Sequence, residues 1–165
     1  AAVIPGYMHD AMVEQSEANG VFGHGYTYSG HPVGCAAALK TLEIIEREHL
    51  FEKAAVAGTY LHQQLSKFAD HPLVGEIRGK GLLAAIELVP NKRKDDRFVG
   101  GKVGAFAQYA CQKHGLIVRA VAGNSIALCP PLIITHPQID EIIHKLAKAL
   151  DETLTFTQDE CLLVT

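Results

Sequence analysis

Residues 20–39 have the sequence GVFGHGYTYSGHPVGCAAAL, in which a glycine-rich loop precedes a run of small apolar residues. Pro32 suits the first turn of a helix, where its missing N–H costs little. Glycines let a backbone approach an anion closely, and Thr27 and Ser29 carry hydroxyl groups that can donate hydrogen bonds. The helix that follows offers free N–H groups and the positive end of its dipole. This combination suits phosphate; the alternative is a flexible connector whose glycines only make turns.

Two other kinds of site are not predicted for this loop. It lacks the GK[ST] of a Walker loop and the GxGxxG spacing of a dinucleotide site, so its sequence does not indicate nucleotide binding. His24 and His31 flank it, but no Cys or carboxylate lies at a useful spacing for a shared metal ion. We therefore predict no metal site and expect hydrogen-bonding and packing roles for these histidines.

On both sides of the loop, the hydrophobic periodicity of the chain predicts an α+β fold with helices on one face of a sheet. The predicted helices are Met8–Asn19, Val33–His49, Leu50–Ala69, Lys102–His114 and a last helix opened by the capping-box pair Thr135 and Gln138. The predicted strands are Val74–Arg78, Leu82–Val89, Leu116–Val121 and Ser125–Leu128, with turns at Gly79-Lys80-Gly81 and Ala122-Gly123-Asn124.

The composition excludes some functional classes. A formal charge of -3 argues against a general nucleic-acid binder, since phosphate binding needs clustered positive charge. The one short basic run, Lys92-Arg93-Lys94, lies beside Asp95 and Asp96 and is expected to be a solvated loop. The sequence contains neither an apolar stretch long enough to cross a membrane nor a signal-peptide pattern. Four widely spaced cysteines favour a reduced, cytoplasmic protein.

Arg119 is a candidate anion-binding residue because it interrupts the apolar run Leu116–Val121. An arginine in such a place either reaches the edge of the sheet or pairs with an anion. Its planar, two-pronged guanidinium matches a carboxylate, as a site for amino acids or keto acids would require. An ion pair with a structural carboxylate is the alternative.

The stretch from Phe22 to Leu39, FGHGYTYSGHPVGCAAAL, resembles a signature of class III aminotransferases, also called ω-transaminases. Three later blocks fit the same family in the same order, and the resemblance extends to about Thr155. The blocks are Arg78-Gly79-Lys80-Gly81-Leu82 with Ile86-Glu87-Leu88, Gly115-Leu116-Ile117-Val118-Arg119, and Pro130-Pro131-Leu132 with Thr135. Gly34 stands where most relatives have alanine, a small departure that should not affect the chemistry.

The resemblance implies a piece of a fold-type-I enzyme that uses pyridoxal 5'-phosphate. Residues 1–31 would be the end of the large cofactor-binding domain with an interface loop, 32–49 a linking helix, and 50–165 the small C-terminal domain. Tyr26 and Thr27 would reach across a homodimer interface, where the threonine binds the cofactor phosphate of the other subunit. Arg119 would bind the substrate carboxylate. The intact enzyme would transfer an amino group between an amine or amino acid and a keto acid such as pyruvate.

The same resemblance implies that the chain is catalytically incomplete alone. The lysine that holds the cofactor covalently lies, in the family, shortly before the position matching Ala1, and none of the ten lysines here has a matching context. No catalytic residue is therefore assigned, and the partner would be a second subunit or the missing N-terminal part. Two alternatives stay open: another fold-type-I enzyme, such as an aminomutase or decarboxylase, or a noncatalytic dimerisation or binding module.

Overall fold

The computed structural model describes residues 3–92 and 96–163 and divides the chain into two compact units, 1–44 and 45–165. Each unit is described by itself. Arg93, Lys94 and Asp95, which belong to the predicted solvated basic run, lie outside the described residues.

The first unit contains helix α1, Gly6–Asn19, and the start of helix α2, Pro32–Arg47. Gly20 ends α1 as predicted: it has a φ of 84°, and its N–H donates to the Ser16 carbonyl at 3.1 Å. Neither helix has a buried residue. Apolar side chains such as Tyr7, Phe22 and Leu39 are exposed. The first unit therefore has no apolar core of its own among the described residues.

The second unit has the predicted α+β composition. Its elements, in chain order, are α3 (Leu50–Leu65, followed by a 3-10 turn Ser66–Phe68), β1 (Val74–Lys80), β2 (Leu83–Leu88), α4 (Lys102–Lys113), β3 (Arg119–Val121), β4 (Ser125–Leu128) and α5 (His136–Asp159). The predicted capping box opens α5, with Gln138 Oε1 accepting from the Thr135 N–H at 2.9 Å.

The four strands form one antiparallel sheet in the order β1-β2-β4-β3. One cross-strand row consists of Ile77, Ile86, Ile126 and Ala120, and the next consists of Arg78, Ala85, Ala127 and Arg119. Because successive side chains point to opposite faces, these rows lie on different sides of the sheet. The isoleucine side is the buried one, and Arg78 and Arg119 are exposed on the other.

The hydrophobic core lies between the buried sheet face and the helices α3, α4 and α5. Helix α4 packs against both β3 and β4 and against α5. The fully buried large side chains are Leu61, Leu65, Leu73, Ile86, Leu88, Val103, Ile126, Ile139, Leu146 and Leu150, with the threonines Thr153 and Thr157. This core fixes the sheet and leaves the arginine-bearing face available to solvent.

All four cysteines are free. Cys111 is buried in α4, and burial raises the pKa of its thiol to about 11. The thiol therefore stays protonated at neutral pH and packs as a small apolar group. Cys35, Cys129 and Cys161 are exposed.

Most predicted bounds of helices and strands differ from the observed ones by a few residues; α3, for example, ends at Leu65 and not at Ala69. Two of the differences concern the sheet. The β1–β2 turn is Gly81-Leu82 and not Gly79-Lys80-Gly81, because Lys80 already pairs with Leu83. Strand β3 begins at Arg119 and not at Leu116, so residues 116–118 precede the ladder.

Candidate functional site

The loop between α1 and α2 is organised by a turn over residues 26–29. The Ser29 N–H donates to the Tyr26 carbonyl at 2.9 Å, and the Tyr26 N–H donates to Ser29 Oγ at 3.2 Å. Gly30 follows with a φ of 72°, a left-handed conformation that favours glycine. The His31 carbonyl then accepts from the Cys35 N–H at 2.9 Å, the first backbone bond of α2. A defined turn therefore presents residues 26–29 immediately before a helix N-terminus.

Thr27 lies within this turn and is exposed. Its hydroxyl makes no hydrogen bond with any residue that the structure describes. The oxygen of Ser29, in contrast, already accepts the Tyr26 N–H. Thr27 therefore offers an uncommitted hydroxyl that can donate to an oxyanion such as phosphate.

Tyr26 is adjacent to Thr27, and its side chain is also exposed. The His24 ring meets the Tyr26 ring edge-on, with centroids 5.6 Å apart. The two residues assigned to cofactor binding thus occupy one turn of the first unit. Their role toward a cofactor stays a prediction.

Arg119 is the first residue of the edge strand β3, in the second unit. It pairs with Ala127 of β4, and its side chain lies on the exposed sheet face. Within residues 3–92 and 96–163, its guanidinium has no hydrogen bond or ion pair. Among these residues, the alternative of a structural ion pair therefore finds no support, and none of them occupies the guanidinium. Its role toward substrate stays a prediction.

Arg78 lies in the same cross-strand row as Arg119, but its guanidinium is bound by side chains of this chain. Its Nη1 lies 2.9 Å from Glu76 Oε2 and 2.7 Å from Glu87 Oε2, and its Nη2 donates to Ser125 Oγ at 3.2 Å. Glu87 also pairs with Arg97 Nε at 2.8 Å. Arg78 is thus neutralised and bridges β1, β2 and β4. Of these two arginines, Arg119 is the one without an ionic partner in the part of the chain that the structure describes.

Two polar residues for which the sequence predicted no role connect the β3–β4 hairpin to helix α4 and to the segment before it. Asn124 is buried; its Oδ1 accepts from the Gly104 N–H at 2.9 Å, and its Nδ2 donates to the Gly100 carbonyl at 2.6 Å. Gln108 Oε1 accepts from the Ala120 N–H at 2.7 Å. A polar residue in mid-helix or in a turn carries no distinctive pattern, so no sequence signal could have found these contacts.

Among residues 3–92 and 96–163, no group of three or more His, Cys, Asp or Glu side chains is placed to hold a metal ion. In the same part of the chain, no helix combines the length and the apolar character needed to cross a membrane.

Residues 2–150 match the family model described as Aminotransferase class-III. The chain belongs to the class III aminotransferase family. The resemblance to class III aminotransferases stated from the sequence is thereby confirmed, as is the α+β fold within a fold-type-I transaminase. The family implies the use of pyridoxal 5'-phosphate.

Two curated relatives illustrate the match to class III aminotransferases. The putrescine–pyruvate aminotransferase of Pseudomonas aeruginosa is 46% identical over 147 residues, which is 88% of this chain and 32% of that protein. A chloroplastic gamma-aminobutyrate transaminase of Solanum lycopersicum is 42% identical over 154 residues, which is 93% of this chain and 29% of that protein. The chain thus spans about a third of the length of these class III relatives.

Solved structures of transaminases are similar to this chain in both sequence and fold. The ω-transaminase of Pseudomonas jessenii in complex with PMP is 44% identical, with a TM-score of 0.83 over 93% of this chain and 34% of that one. A thermostable ω-transaminase variant engineered for the synthesis of enantiopure bulky amines has a TM-score of 0.84 at 44% identity. The fold of this family member is therefore that of a transaminase segment.

Proposed function

We propose that the full-length protein containing this chain is a pyridoxal-phosphate-dependent aminotransferase that moves an amino group from an amine or amino acid to a keto acid. The observation that carries the proposal is Arg119, which has no hydrogen bond or ion pair within residues 3–92 and 96–163 and lies on the exposed sheet face of a class III aminotransferase chain. A relative 46% identical is a putrescine–pyruvate aminotransferase, so pyruvate is the acceptor and putrescine the donor to test first.

In this proposal, Arg119 binds the carboxylate of the keto acid. A guanidinium donates two parallel hydrogen bonds to a carboxylate, and such charge-assisted bonds are stronger than neutral ones. A diamine donor has no carboxylate, so it does not need this contact. Arg119 thus contributes to acceptor binding more than to donor binding.

Thr27 is proposed to hold the cofactor phosphate through its uncommitted hydroxyl, with Tyr26 beside it. The turn fits this task because Ser29 and Gly30 fix its backbone without using the threonine hydroxyl. When bound, the cofactor would act as the electron sink for cleavage at the amine carbon. The lysine that holds it covalently is not assigned to this chain, so residues 1–165 alone are proposed to be inactive.

The proposed division into domains places residues 1–31 at the end of the large domain, 32–49 in a linking helix and 50–165 in the small domain. We also propose a homodimer in which the Tyr26–Thr27 turn contacts the other subunit's cofactor. Support comes from α1 and α2, which have no buried residue although they carry exposed Tyr7, Met12 and Leu39. Four free cysteines are consistent with a cytoplasmic location.

The test of the substrate role compares Arg119→Ala with the wild-type full-length protein. We expect the KM for pyruvate to rise at least tenfold, since a hydrogen bond to a charged group contributes about 1.5–3 kcal/mol. The KM for a donor without a carboxylate should stay within about twofold of the wild type. Arg119→Lys keeps the charge but loses the planar fork, so its KM for pyruvate should lie between the values of the wild type and of Arg119→Ala. An equal loss for donor and acceptor would refute the carboxylate role.

A further inference from the structure

The strand that carries Arg119 is a three-residue edge strand, Arg119–Val121, with a neighbour on one side only in the order β1-β2-β4-β3. Its residues pair with β4 in the register Arg119–Ala127, Ala120–Ile126 and Val121–Ser125. In an antiparallel pair, residues alternate between those that exchange backbone hydrogen bonds and those whose N–H and C=O point away. A short edge strand of this kind has few bonds to fix its orientation.

Helix α4 supplies the outer partner of this strand. The Ala120 N–H donates to Gln108 Oε1 at 2.7 Å, so Ala120 points its backbone away from β4. Arg119 is then one of the residues that exchange backbone hydrogen bonds with β4. Gln108 and Ala120 are both half-buried, and the Ala120 side chain packs against the core. Gln108 thus takes the place that a neighbouring strand would otherwise fill.

The consequence concerns one peptide group. The Arg119 carbonyl and the Ala120 N–H belong to the same planar unit. β4 binds the carbonyl side of this unit, and Gln108 binds its N–H side. The plane is therefore held from both edges, and its orientation fixes the direction in which the Arg119 side chain leaves the backbone.

We propose that Gln108 is a positioning residue for Arg119: it fixes the edge strand so that the guanidinium is oriented for the carboxylate of the keto acid. This inference rests on the proposed function, in which Arg119 binds that carboxylate. A guanidinium makes two hydrogen bonds to a carboxylate only when it is correctly oriented, because a small displacement of the supporting backbone breaks one of the two bonds. Gln108 lies on the helix side of the sheet and Arg119 on the other, so Gln108 acts through the backbone.

The first experiment replaces Gln108 by methionine in the full-length protein, which removes the acceptor at nearly constant volume. The KM for pyruvate should rise about five- to tenfold, since one hydrogen bond that orients the fork is lost. The kcat and the KM for a donor without a carboxylate should stay within about twofold. Gln112→Met, on the same helix but exposed, is the matched control and should leave all constants unchanged.

A second variant keeps the proposal testable if the methionine variant is unstable. Gln108→Glu retains the acceptor oxygen and should keep the KM for pyruvate within about threefold of the wild type. Hydrogen exchange of the Ala120 amide should be fast in the methionine variant and slow in the glutamate variant. A rise in the pyruvate KM as large for glutamate as for methionine would overturn the proposal.

The double variant Gln108→Met/Arg119→Ala separates the two claims. If Gln108 acts through Arg119, adding Gln108→Met to Arg119→Ala should not raise the pyruvate KM further. An additive rise, or an equal loss for donor and acceptor in Gln108→Met, refutes the positioning role while the role of Arg119 stands. If Arg119→Ala raises the KM for pyruvate no more than the KM for the donor, Arg119 does not bind the carboxylate. The positioning role of Gln108 then fails as well.

Discussion

Thr27 and Ser29 are two hydroxyl residues of one turn, and their hydrogen bonds separate their roles. Ser29 Oγ accepts the Tyr26 N–H at 3.2 Å, whereas Thr27 has no bond within the described chain. The sequence could indicate that this loop suits phosphate, but it could not say which hydroxyl is free. That difference depends on the direction of the turn, which only the backbone conformation shows.

Replacing Thr27 by alanine in the full-length protein should weaken cofactor retention. A charge-assisted hydrogen bond to phosphate contributes about 1.5–3 kcal/mol, so the dissociation constant for the cofactor should rise about ten- to a hundredfold. The measurement is a titration of the apoprotein, followed by the visible absorption of bound cofactor. Thr27→Ser keeps the hydroxyl and is the control. Unchanged affinity in Thr27→Ala would rule out the phosphate contact.

At the scale of the elements, three helix ends could be predicted because their signals are local, whereas the end of α3 at Leu65 was predicted too far along the chain, at Ala69. Gly20 ends α1, Lys113 ends α4 just before Gly115, and Thr135 with Gln138 opens α5. Each signal depends on a few neighbouring residues and on the backbone groups that a helix end leaves unpaired. Distant parts of the chain do not change it.

The turn between β1 and β2 could not be located as accurately from the sequence, because the hairpin contains two glycines with different structural roles. Gly79 lies inside β1 opposite Ala84, where a Cβ would come within 2.1 Å of the Leu83 carbonyl oxygen. Gly81, with a φ of 58°, belongs to the turn itself. Both are glycines in the sequence, and only the register distinguishes a close approach from a turn.

The start of β3 was misplaced for a related reason. Arg119 pairs with Ala127, so a start at Leu116 would need partners as far as Pro130, beyond the end of β4 at Leu128. Pro130 and Pro131 follow Cys129, and proline has no N–H to continue a ladder. Of residues 116–118, Leu116 is buried and Val118 packs against the core, whereas Ile117 is exposed, so this apolar run does not indicate strand pairing.

His71 connects the 3-10 turn after α3 to β1 and provides a prediction about pH. Its Nδ1 accepts the Leu73 N–H at 3.2 Å, and its buried Nε2 lies 3.6 Å from Asp151 Oδ1, too far for a hydrogen bond. Burial lowers the pKa of His71; the nearby Asp151 partly opposes this shift and Lys92 adds to it. The folded state therefore favours neutral His71.

A histidine whose pKa is lower in the folded state binds protons more readily when the protein unfolds. The stability of the protein should therefore fall as the pH drops through about 6.5, the ordinary pKa of histidine. In His71→Gln this part of the pH dependence should disappear, measured as the denaturant midpoint between about pH 7.5 and 5.5. His9→Gln, at an exposed position of α1, should keep the wild-type slope. A slope unchanged in His71→Gln would contradict the burial argument.

At the scale of the whole molecule, the two units differ in how they are held together. Residues 45–165 enclose a continuous core between the sheet and α3, α4 and α5, whereas α1 and α2 contain no buried residue. Within the described chain, the apolar side chains of the first unit have no core to join. This contrast agrees with a chain that spans about a third of its relatives and with the proposal that the rest of the protein and a second subunit cover these helices.

The composition alone could not have led to an aminotransferase, since it describes an ordinary protein with a formal charge of -3. The family became evident from ordered motifs along nearly the whole chain, and the family model matches residues 2–150. What neither source supplies is the set of polar contacts made by the sheet. The neutralised Arg78, the buried Asn124 and the bond from Gln108 to Ala120 depend on contacts between residues far apart in the sequence.

The most direct test of the proposed aminotransferase function is the transfer of isotope-labelled nitrogen from a donor amine to pyruvate by the full-length protein with its cofactor. We expect the label to appear in alanine, in an amount equal to the donor consumed, and Arg119→Ala to reduce this transfer at low pyruvate. Label that only moves within the donor, as in an aminomutase, or loss of carbon dioxide without transfer would contradict the central claim.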